Sequence, residues 1–426
     1  MSVIIKYLGD LTMESLLMEA ERCLKCKKPR CKQHCPIATP IPDVITLFQE
    51  NKLHEAGQML FNNNPLSAIC AIVCPHEDQC KGYCIKGIKG EPVSFCDIER
   101  YISSQYLEEL TIEKAPNNNR KIAIVGSGPA GITAAILLAQ KGYNITMFEL
   151  RDRIGGVLTY GIPEFRLPRS IINNLENKLL QLGVNIKPNT LVGPVITLDK
   201  LLFDGYDAIF IGTGVWNPKT LNIKGETLGH SHYAIDYLKN PSSYKLGERV
   251  CVIGAGNVAM DAARSAKYYG SKDVTICYRR GEEDMTATKV EIGETKEDGV
   301  IFDLYKSPVE ITDEGVIFVT TQKVTKEDGS VSLETIPGSE QLFPCDSVII
   351  AVSQVPQSNI VATSPTLETK FGLLVTDEKG HTTKQGVFAC GDVVSGAKTV
   401  IDAVVAAKLV AESIDEYCNA LPHSQD

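Results

Sequence analysis

The chain has 426 residues, of which 43% are hydrophobic and 22% are charged, and its formal net charge is −9. This composition excludes a disordered or fibrous protein, and the length predicts two or three domains with separate cores. We expect the charges to be spread without an acidic or basic block, which argues against nucleic-acid binding, because a phosphate-neutralising surface needs clustered Lys and Arg.

The N-terminal region combines helical patterns with a high density of cysteine. Nine of the fourteen cysteines fall within residues 1–96, and the apolar run at the N-terminus is too short for a secretion signal. Dense cysteine in a chain without such a signal binds metal more often than it forms disulfides. We therefore expect a cytoplasmic protein with a metal-binding region that ends at the polar run 114–120.

The cysteines of this region form two groups, Cys23-x2-Cys26-x4-Cys31-x3-Cys35-Pro and Cys70-x3-Cys74-Pro-x4-Cys80-x3-Cys84. Thiolates ligate both iron–sulfur clusters and zinc. Structural zinc sites favour paired CxxC motifs, and here only Cys23 and Cys26 form such a pair. The spacing therefore favours iron–sulfur clusters, with zinc as the alternative.

A strand–turn–helix pattern follows the polar run. The uncharged stretch 122–140 has the length of a membrane span, but its glycines have the spacing Gly126-x-Gly128-x-x-Gly131 of a dinucleotide site, so we predict two buried elements and no membrane contact. The first glycine makes a tight turn, the second admits the pyrophosphate, and the third lets the helix pack on the strand. Glu149 ends the next strand, where a carboxylate accepts hydrogen bonds from a ribose without a 2′-phosphate, as in FAD or NAD.

A second pattern of this kind contains Gly254-x-Gly256-x-x-Ala259. Its second strand ends in Arg279 and Arg280 instead of an acid. Guanidinium groups pair with a 2′-phosphate through charge-assisted hydrogen bonds, so the sequence predicts NADPH at this site. The alternative is a solvated basic strand end without a ligand.

Residues 298–347 alternate between apolar and polar side chains, and the chain then returns to an α/β pattern. The alternation predicts an antiparallel excursion with turns at Gly315 and Gly329. The histidines His34, His76 and His423 are expected in solvated loops.

Near the C-terminus, Asp392 follows an apolar strand and precedes a helix start that contains glycine. In this arrangement an aspartate binds the ribityl chain of a flavin, while the N-terminus of the following helix faces the ring.

Six motifs are spread over the chain: GSGPAGITAA, GGVLTYGIPEFRLP, GTGVWNPKTL, VIGAGNVAMDAAR, YRR and ACGDVVSGAKTVIDAV. Together they resemble the small subunit of NADPH-dependent glutamate synthase and its relatives. These relatives include the N-terminal part of dihydropyrimidine dehydrogenase, its bacterial reductase subunit, and the large subunit of NADH-dependent ferredoxin:NADP oxidoreductase. The resemblance covers essentially the whole chain.

The resemblance implies the residues that hold each cofactor. For FAD they are Gly126, Gly128, Gly131, Glu149, Gly156, Arg166 and Asp392. For NADPH they are Gly254, Gly256, Asn257, Arg279 and Arg280. One departure from the family is Ser353, where relatives often have glycine.

The same resemblance implies two [4Fe-4S] clusters. The first is held by Cys23, Cys26, Cys31 and Cys84, and the second by Cys35, Cys74, Cys80 and a carboxylate at Glu99. Cys96, which lies close to Glu99 in the sequence, and Cys70 are the alternative fourth ligands, although Cys70 is otherwise expected to be spare.

The predicted fold class is α/β, with two Rossmann-like, glutathione-reductase-like nucleotide-binding domains and an N-terminal α-helical iron–sulfur domain. The predicted domains are residues 1–118 for the clusters, 119–225 with 343–426 for FAD, and 226–342 for NADPH.

The predicted function is that of an oxidoreductase that passes electrons between NADPH, FAD, two clusters and a partner or acceptor. No catalytic acid or base is expected. The partner is a synthase-type large subunit, a pyrimidine-reducing subunit or a ferredoxin-like protein. The alternatives are a stand-alone reductase of quinones, ferric complexes or nitro compounds, the reductase subunit of a dihydropyrimidine dehydrogenase, and a redox sensor without turnover.

Overall fold

The computed structural model of the protein describes residues 12–326 and 330–422. The chain forms two compact units, of which unit 1 comprises residues 1–159, 164–215 and 356–426, and unit 2 comprises residues 160–163 and 216–355. The domain boundaries proposed from the sequence stay predictions. The predicted turn at Gly329 and the predicted loop residue His423 lie outside the described residues.

The helices are α1 Met13–Glu21, α2 Arg30–Gln33, α3 Ile41–Gln49, α4 Leu53–Asn63, α5 Ser67–Val73, α6 Phe95–Glu109, α7 Pro129–Gln140, α8 Val157–Tyr160, α9 Arg169–Gln181, α10 Leu198–Phe203, α11 Ala234–Tyr237, α12 Asn257–Tyr268, α13 Lys289–Glu297, α14 Asp392–Ser395 and α15 Val400–Ala420.

The strands are β1 Lys121–Val125, β2 Asn144–Phe148, β3 Asn185–Lys187, β4 Ala208–Ile211, β5 Asn217–Pro218, β6 Ser231–Tyr233, β7 Arg249–Ile253, β8 Asp273–Tyr278, β9 Ile301–Leu304, β10 Lys306–Thr312, β11 Gly315–Thr325, β12 Val331–Thr335, β13 Gln341–Pro344, β14 Ser347–Ile350, β15 Gln354–Val355, β16 Thr369–Lys370, β17 Leu373–Leu374 and β18 Val387–Ala389.

The first helices of unit 1 pack around an apolar core of their own. Leu16 of α1, Phe48 of α3 and Ile98 of α6 are fully buried in it. The partly buried cysteines Cys23 and Cys84 pack against the same core. Helices α1 to α6 therefore hold the cysteine-bearing loops on a folded scaffold.

The rest of unit 1 is built on a five-stranded sheet in the order β18-β4-β1-β2-β3, in which all neighbours are parallel. Its central strand β1 is almost wholly apolar because both faces are covered. Parallel order brings the carboxyl ends of β1, β2 and β18 to one edge, where ligands bind in open α/β sheets.

Unit 2 repeats this plan with a parallel sheet in the order β6-β14-β7-β8-β9. Strands β10 to β13 add an antiparallel sheet to it. The predicted antiparallel excursion is wrong at its start, because β9 continues the parallel sheet beside β8. The predicted fold class, with two Rossmann-like sheets and an N-terminal helical region, is confirmed.

No helix in the described part of the chain is long and apolar enough to cross a membrane. The stretch 122–140, which has the length of a span, divides into β1, a glycine turn and α7.

Candidate cofactor sites

The first glycine motif forms the turn between β1 and α7. Gly126 has φ +97°, and a Cβ on Gly131 would lie 2.0 Å from the Gly126 carbonyl oxygen. Gly126 therefore makes the turn and Gly131 the close packing, as predicted from the sequence. Around Gly128, in contrast, a Cβ would meet nothing nearer than Gly156 Cα at 4.0 Å.

Gly128 and Gly156 bring two stretches of backbone together at the N-terminus of α7. A Cβ on Gly156, which has φ +55°, would lie 2.8 Å from Gly128 Cα. The two glycines thus form a cradle of bare backbone that side chains would fill. Such a cradle, beside the positive end of a helix dipole, fits the pyrophosphate of a dinucleotide.

Glu149 follows β2 and is 6% exposed. Its Oε2 accepts hydrogen bonds from the Ser127 backbone N at 3.1 Å and from the Ser127 hydroxyl, and its Oε1 accepts one from the Arg151 N at 2.8 Å. The carboxylate is therefore fixed beside the glycine turn. Oε1, which accepts one hydrogen bond, retains acceptor capacity for a ribose hydroxyl.

Asp392 begins α14 at the end of β18. Its Oδ1 accepts a hydrogen bond from the Lys398 N at 3.2 Å, and burial raises the pKa of its carboxyl to about 6. A Cβ on the preceding Gly391 would lie 3.4 Å from Ala130 Cβ of α7. The Asp392 motif therefore adjoins the first glycine motif within unit 1.

Arg166 lies in the segment before α9 and is half-buried. The neighbouring Arg169 donates a hydrogen bond from Nη1 to the Leu158 carbonyl at 2.7 Å, which ties this segment to the backbone beyond Gly156. The assignment of Arg166 to the flavin remains a prediction.

The second glycine motif makes the same turn between β7 and α12. Gly254 has φ +133°, and a Cβ on it would lie 2.3 Å from the Ala351 carbonyl oxygen. A Cβ on Gly256 would lie 3.2 Å from Thr286 Oγ1, so this part of the loop also depends on bare backbone. Asn257 Oδ1 accepts a hydrogen bond from the Thr288 N at 3.0 Å and fixes the loop that faces the turn.

Arg279 and Arg280 follow β8, and both side chains are exposed. Their backbone is held, since the Arg279 carbonyl accepts a hydrogen bond from Thr321 Oγ1 at 2.6 Å and the Arg280 carbonyl accepts one from the Tyr305 N at 3.3 Å. Two exposed guanidinium groups on a fixed backbone fit a 2′-phosphate.

Ser353 follows β14 with φ +100°, in the region that favours glycine. Its carbonyl accepts a hydrogen bond from the Lys219 N at 3.0 Å. The chain therefore retains the turn in which relatives have glycine, although it carries a side chain there.

The four cysteines expected at the first cluster lie close to one another. Burial raises the pKa of the Cys31 thiol to about 11, and the neighbouring Cys84, Cys23 and Cys26 contribute to this shift. Cys84 Sγ accepts a hydrogen bond from the Val93 N at 3.4 Å. Two separate loops, 23–35 and 79–90, thus bring their thiols to one place.

The residues expected at the second cluster line one cavity. They are Cys35, Cys74, Cys80 and Glu99. Two effects raise the pKa of the Cys74 thiol: its hydrogen bond with the Cys70 thiol and its burial. Burial also raises the pKa of the Cys80 thiol. Three thiols and a carboxylate around one cavity form a donor set that fits an iron–sulfur cluster.

Among the described residues, no group of three or more His, Cys, Asp or Glu side chains is arranged to hold one metal ion. In a four-iron cluster each ligand binds its own iron, so the ligands do not converge on a single ion.

Glu99 is held by residues that the sequence analysis missed. The Ser67 hydroxyl donates a hydrogen bond to Glu99 Oε1 at 2.7 Å, and Ser103 Oγ lies 2.9 Å from Ser67 Oγ. All three side chains are buried. Ser103 lies one helical turn after Glu99, and this spacing is the signal in the sequence that places them on one face of α6.

Two residues differ from the simplest expectation for this region. Cys70, expected to be spare, is buried and lines the cavity. His76, expected in a solvated loop, also lines it, and burial lowers the pKa of its imidazole to about 4. Cys96 Sγ instead lies 3.5 Å from Ser94 Oγ.

Comparison with known proteins follows the same division of the chain. The family profile described as pyridine nucleotide-disulphide oxidoreductase matches residues 120–409. The chain belongs to the pyridine nucleotide-disulphide oxidoreductase family. A second profile, described as dihydropyrimidine dehydrogenase domain II with a 4Fe-4S cluster, matches residues 5–111 of this oxidoreductase.

Two curated relatives match this oxidoreductase along most of their length. The glutamate synthase [NADPH] small chain of Halomonas elongata is 32% identical over 94% of this chain and 90% of its own. The NAD-dependent dihydropyrimidine dehydrogenase subunit PreT of Salmonella typhimurium is 31% identical over 96% of this chain and 97% of its own.

Among solved structures, FprA of Mycobacterium tuberculosis in complex with NADPH has a TM-score of 0.60 at 20% identity. The alignment covers 72% of this chain and 85% of FprA, and it shows a shared fold.

The resemblance to the glutamate synthase small-chain family is confirmed. As the sequence predicted, this oxidoreductase uses a pyridine nucleotide and FAD and carries an N-terminal 4Fe-4S domain. The individual ligands of each cofactor stay predictions.

Proposed function

We propose that this oxidoreductase takes electrons from NADPH and delivers them one at a time, through two 4Fe-4S clusters, to a separate partner protein. The observation that carries the proposal is the cavity lined by Cys35, Cys74, Cys80 and Glu99. Ile401 also lines it. Ile401 lies in the first turn of α15, which follows the Asp392 motif in the same unit.

When bound, FAD accepts a hydride as two electrons and releases them singly, which makes it suited to stand between a nicotinamide and one-electron clusters. The protein's own residues would bind the cofactors and orient them. Gly126, Gly128 and Gly131 would hold the pyrophosphate at the N-terminus of α7, Glu149 a ribose, and Gly156, Arg166 and Asp392 the remaining flavin contacts.

The second glycine motif would bind NADPH. Gly254 and Gly256 would admit its pyrophosphate, and Asn257 would hold the facing loop in place through its bond to Thr288. Arg279 and Arg280 would pair with the 2′-phosphate. The reaction needs no acid or base from the protein, so catalysis is a matter of placement and of shielding from water.

The first cluster would be held by Cys23, Cys26, Cys31 and Cys84, and the second by Cys35, Cys74, Cys80 and Glu99. The hydrogen bond from Ser67 leaves Glu99 Oε2 without a protein donor among the described residues, in a side chain that lines the cavity. This supports Glu99, in preference to Cys96, as the fourth ligand.

The names of the relatives support a partner, since one is the small chain of a synthase and the other a subunit of a dehydrogenase. A cytoplasmic location is part of the proposal, because none of the fourteen cysteines, all of them described by the structure, forms a disulfide, as expected where thiols stay reduced.

The test is the iron, acid-labile sulfide and flavin content of the chain purified without oxygen, followed by addition of NADPH. We expect about eight irons and one FAD per chain and bleaching of the flavin absorbance. A chain with flavin but without sulfide would contradict the clusters. A chain that keeps both and is not bleached by NADPH would instead be a redox sensor.

A further inference from the structure

A basic surface surrounds the first group of cysteines. Residues 23–42 contain five Lys and Arg and no acid, and residues 79–90 contain three lysines and no acid. The basic patch is defined here as Lys25, Lys27, Lys28, Arg30, Lys86 and Lys89. The expectation of evenly spread charge is therefore wrong at this place, in a chain with 52 acidic and 43 basic residues.

The two loops that carry the basic patch form one surface. The His34 ring stacks on the Tyr83 ring with the centroids 3.5 Å apart, and the Arg30 guanidinium lies 5.7 Å from the Tyr83 centroid. The side chains of Cys31 and Cys84, one from each loop, pack against the same apolar core. The patch therefore surrounds the predicted ligands of the first cluster.

Salt bridges do not neutralise this charge within the described part of the protein. In the described part of the chain, none of the six side chains of the basic patch forms a salt bridge. Two of the nearby acids have other partners, since Glu19 pairs with Arg22 at 2.6 Å and Glu50 pairs with Lys52 at 2.7 Å. Unpaired like charges kept together on a surface favour an anionic partner.

Large apolar side chains lie exposed among these charges. Leu24 is 57% exposed, Ile85 is 39% exposed and Ile88 is 65% exposed. Each of them is next to a cluster ligand or a residue of the basic patch in the sequence. Protein interfaces combine apolar contacts of this kind with complementary charge, whereas a merely solvated face has no need of them.

We propose that the basic patch docks an acidic one-electron carrier protein, so that the carrier's redox centre meets the first cluster. The inference rests on the proposed function and adds the exchange point and the chemistry of the partner. Ile401 of α15 lines the cavity of the second group of cysteines. The first group is therefore the one farther along the proposed electron path from the flavin. In each turnover one NADPH becomes NADP⁺ and a proton, and two carrier molecules gain one electron each.

The test measures binding of the holoprotein to an oxidised plant-type [2Fe-2S] ferredoxin, chosen as an acidic probe, by calorimetry at rising NaCl concentration. We expect the affinity to fall with salt. Lys27→Glu combined with Lys28→Glu should weaken binding by about ten-fold or more, because opposed charges then face the acidic carrier. Lys86→Glu combined with Lys89→Glu, on the other loop, should do the same.

The matched control is Lys326→Glu combined with Lys370→Glu, which makes the same charge change at exposed positions outside the patch. It should bind the probe like the unaltered protein. Iron and sulfide are measured in each double variant. If one double variant has lost a cluster, the binding measured with the other double variant tests the proposal.

Unchanged binding by both pairs with intact clusters would overturn the inference. So would equal binding of cytochrome c, a basic carrier, or tighter binding of a single-stranded oligonucleotide. Failure of NADPH to bleach the flavin is a separate result, because it removes the proposed function while the binding measurement stays interpretable.

Discussion

At the scale of single residues, Ser353 carries backbone strain that a glycine would not. Its φ of +100° is unfavourable for a residue with a Cβ. We expect Ser353→Gly to stabilise the protein by about 1 kcal/mol, which raises the melting temperature by about 2 °C. Ser358→Gly, without such a φ, should lower it. A lower melting temperature for Ser353→Gly would contradict the strain.

Arg280 tests the choice of nicotinamide at the same scale. Its exposed guanidinium follows β8, where the second site is expected to meet a 2′-phosphate. We expect Arg280→Ala to raise the KM for NADPH about ten-fold, because one charge-assisted hydrogen bond to the 2′-phosphate is lost. The KM for NADH, which has no 2′-phosphate, should not change. Lys245→Ala, an exposed cation elsewhere in unit 2, should change neither. Equal effects on both nucleotides would exclude the phosphate contact.

Glu99 tests the ligand set of the second cluster. It lines the cavity with three cysteines, whereas Cys96 contacts Ser94. We expect Glu99→Ala to lower the iron content from about eight to about four per chain, since one cluster loses a ligand and the other keeps all of its own. Cys96→Ala should retain all the iron. The reverse pattern would make Cys96 the ligand.

At the scale of elements, the contact between α7 and β1 decides whether the first glycine motif holds its shape. A Cβ on Gly131 would lie 2.0 Å from the Gly126 carbonyl oxygen, so Gly131→Ala must push the helix away. We expect a loss of about 1–3 kcal/mol in stability and a lower ratio of flavin to protein. Both are measured on the purified variant, by thermal unfolding and by absorbance.

The control for this change is Gly293→Ala, in the middle of α13. A Cβ there meets nothing within 4 Å, so the substitution adds helix propensity without a clash. It should keep full flavin and equal or higher stability. If Gly131→Ala behaved in the same way, close packing of the helix would not be what the third glycine provides.

At the scale of the whole molecule, the two groups of cysteines are expected to act in series. The second group shares its cavity with Ile401 of α15, so removing its cluster should isolate the first. In Cys80→Ser, we expect NADPH still to bleach the flavin, while the electron paramagnetic resonance signal of the reduced first cluster fails to appear.

Dithionite, which reaches the first cluster directly, serves as the control and should produce that signal in the same sample. Reduction of the first cluster by NADPH at the rate of the unaltered protein would show that the groups do not act in series.

The sequence alone determined much of this protein. Glycine spacing at Gly126 and Gly254 was sufficient for the two nucleotide folds, because only glycine adopts the turn and admits the helix so closely. The acid Glu149 and the pair Arg279 and Arg280 likewise predicted two different nucleotides. These turns and strand ends are local, so a single stretch of sequence contains all the residues that form each of them.

Only the tertiary structure decided which residues meet. Ser67 and Glu99 are 32 positions apart, yet their side chains share one hydrogen bond, and Ile401 reaches the same cavity from the far end of the chain. The basic patch joins two loops through the stacking of His34 on Tyr83. Such contacts depend on how helices pack around a core, and no spacing within one segment encodes the distance between two segments.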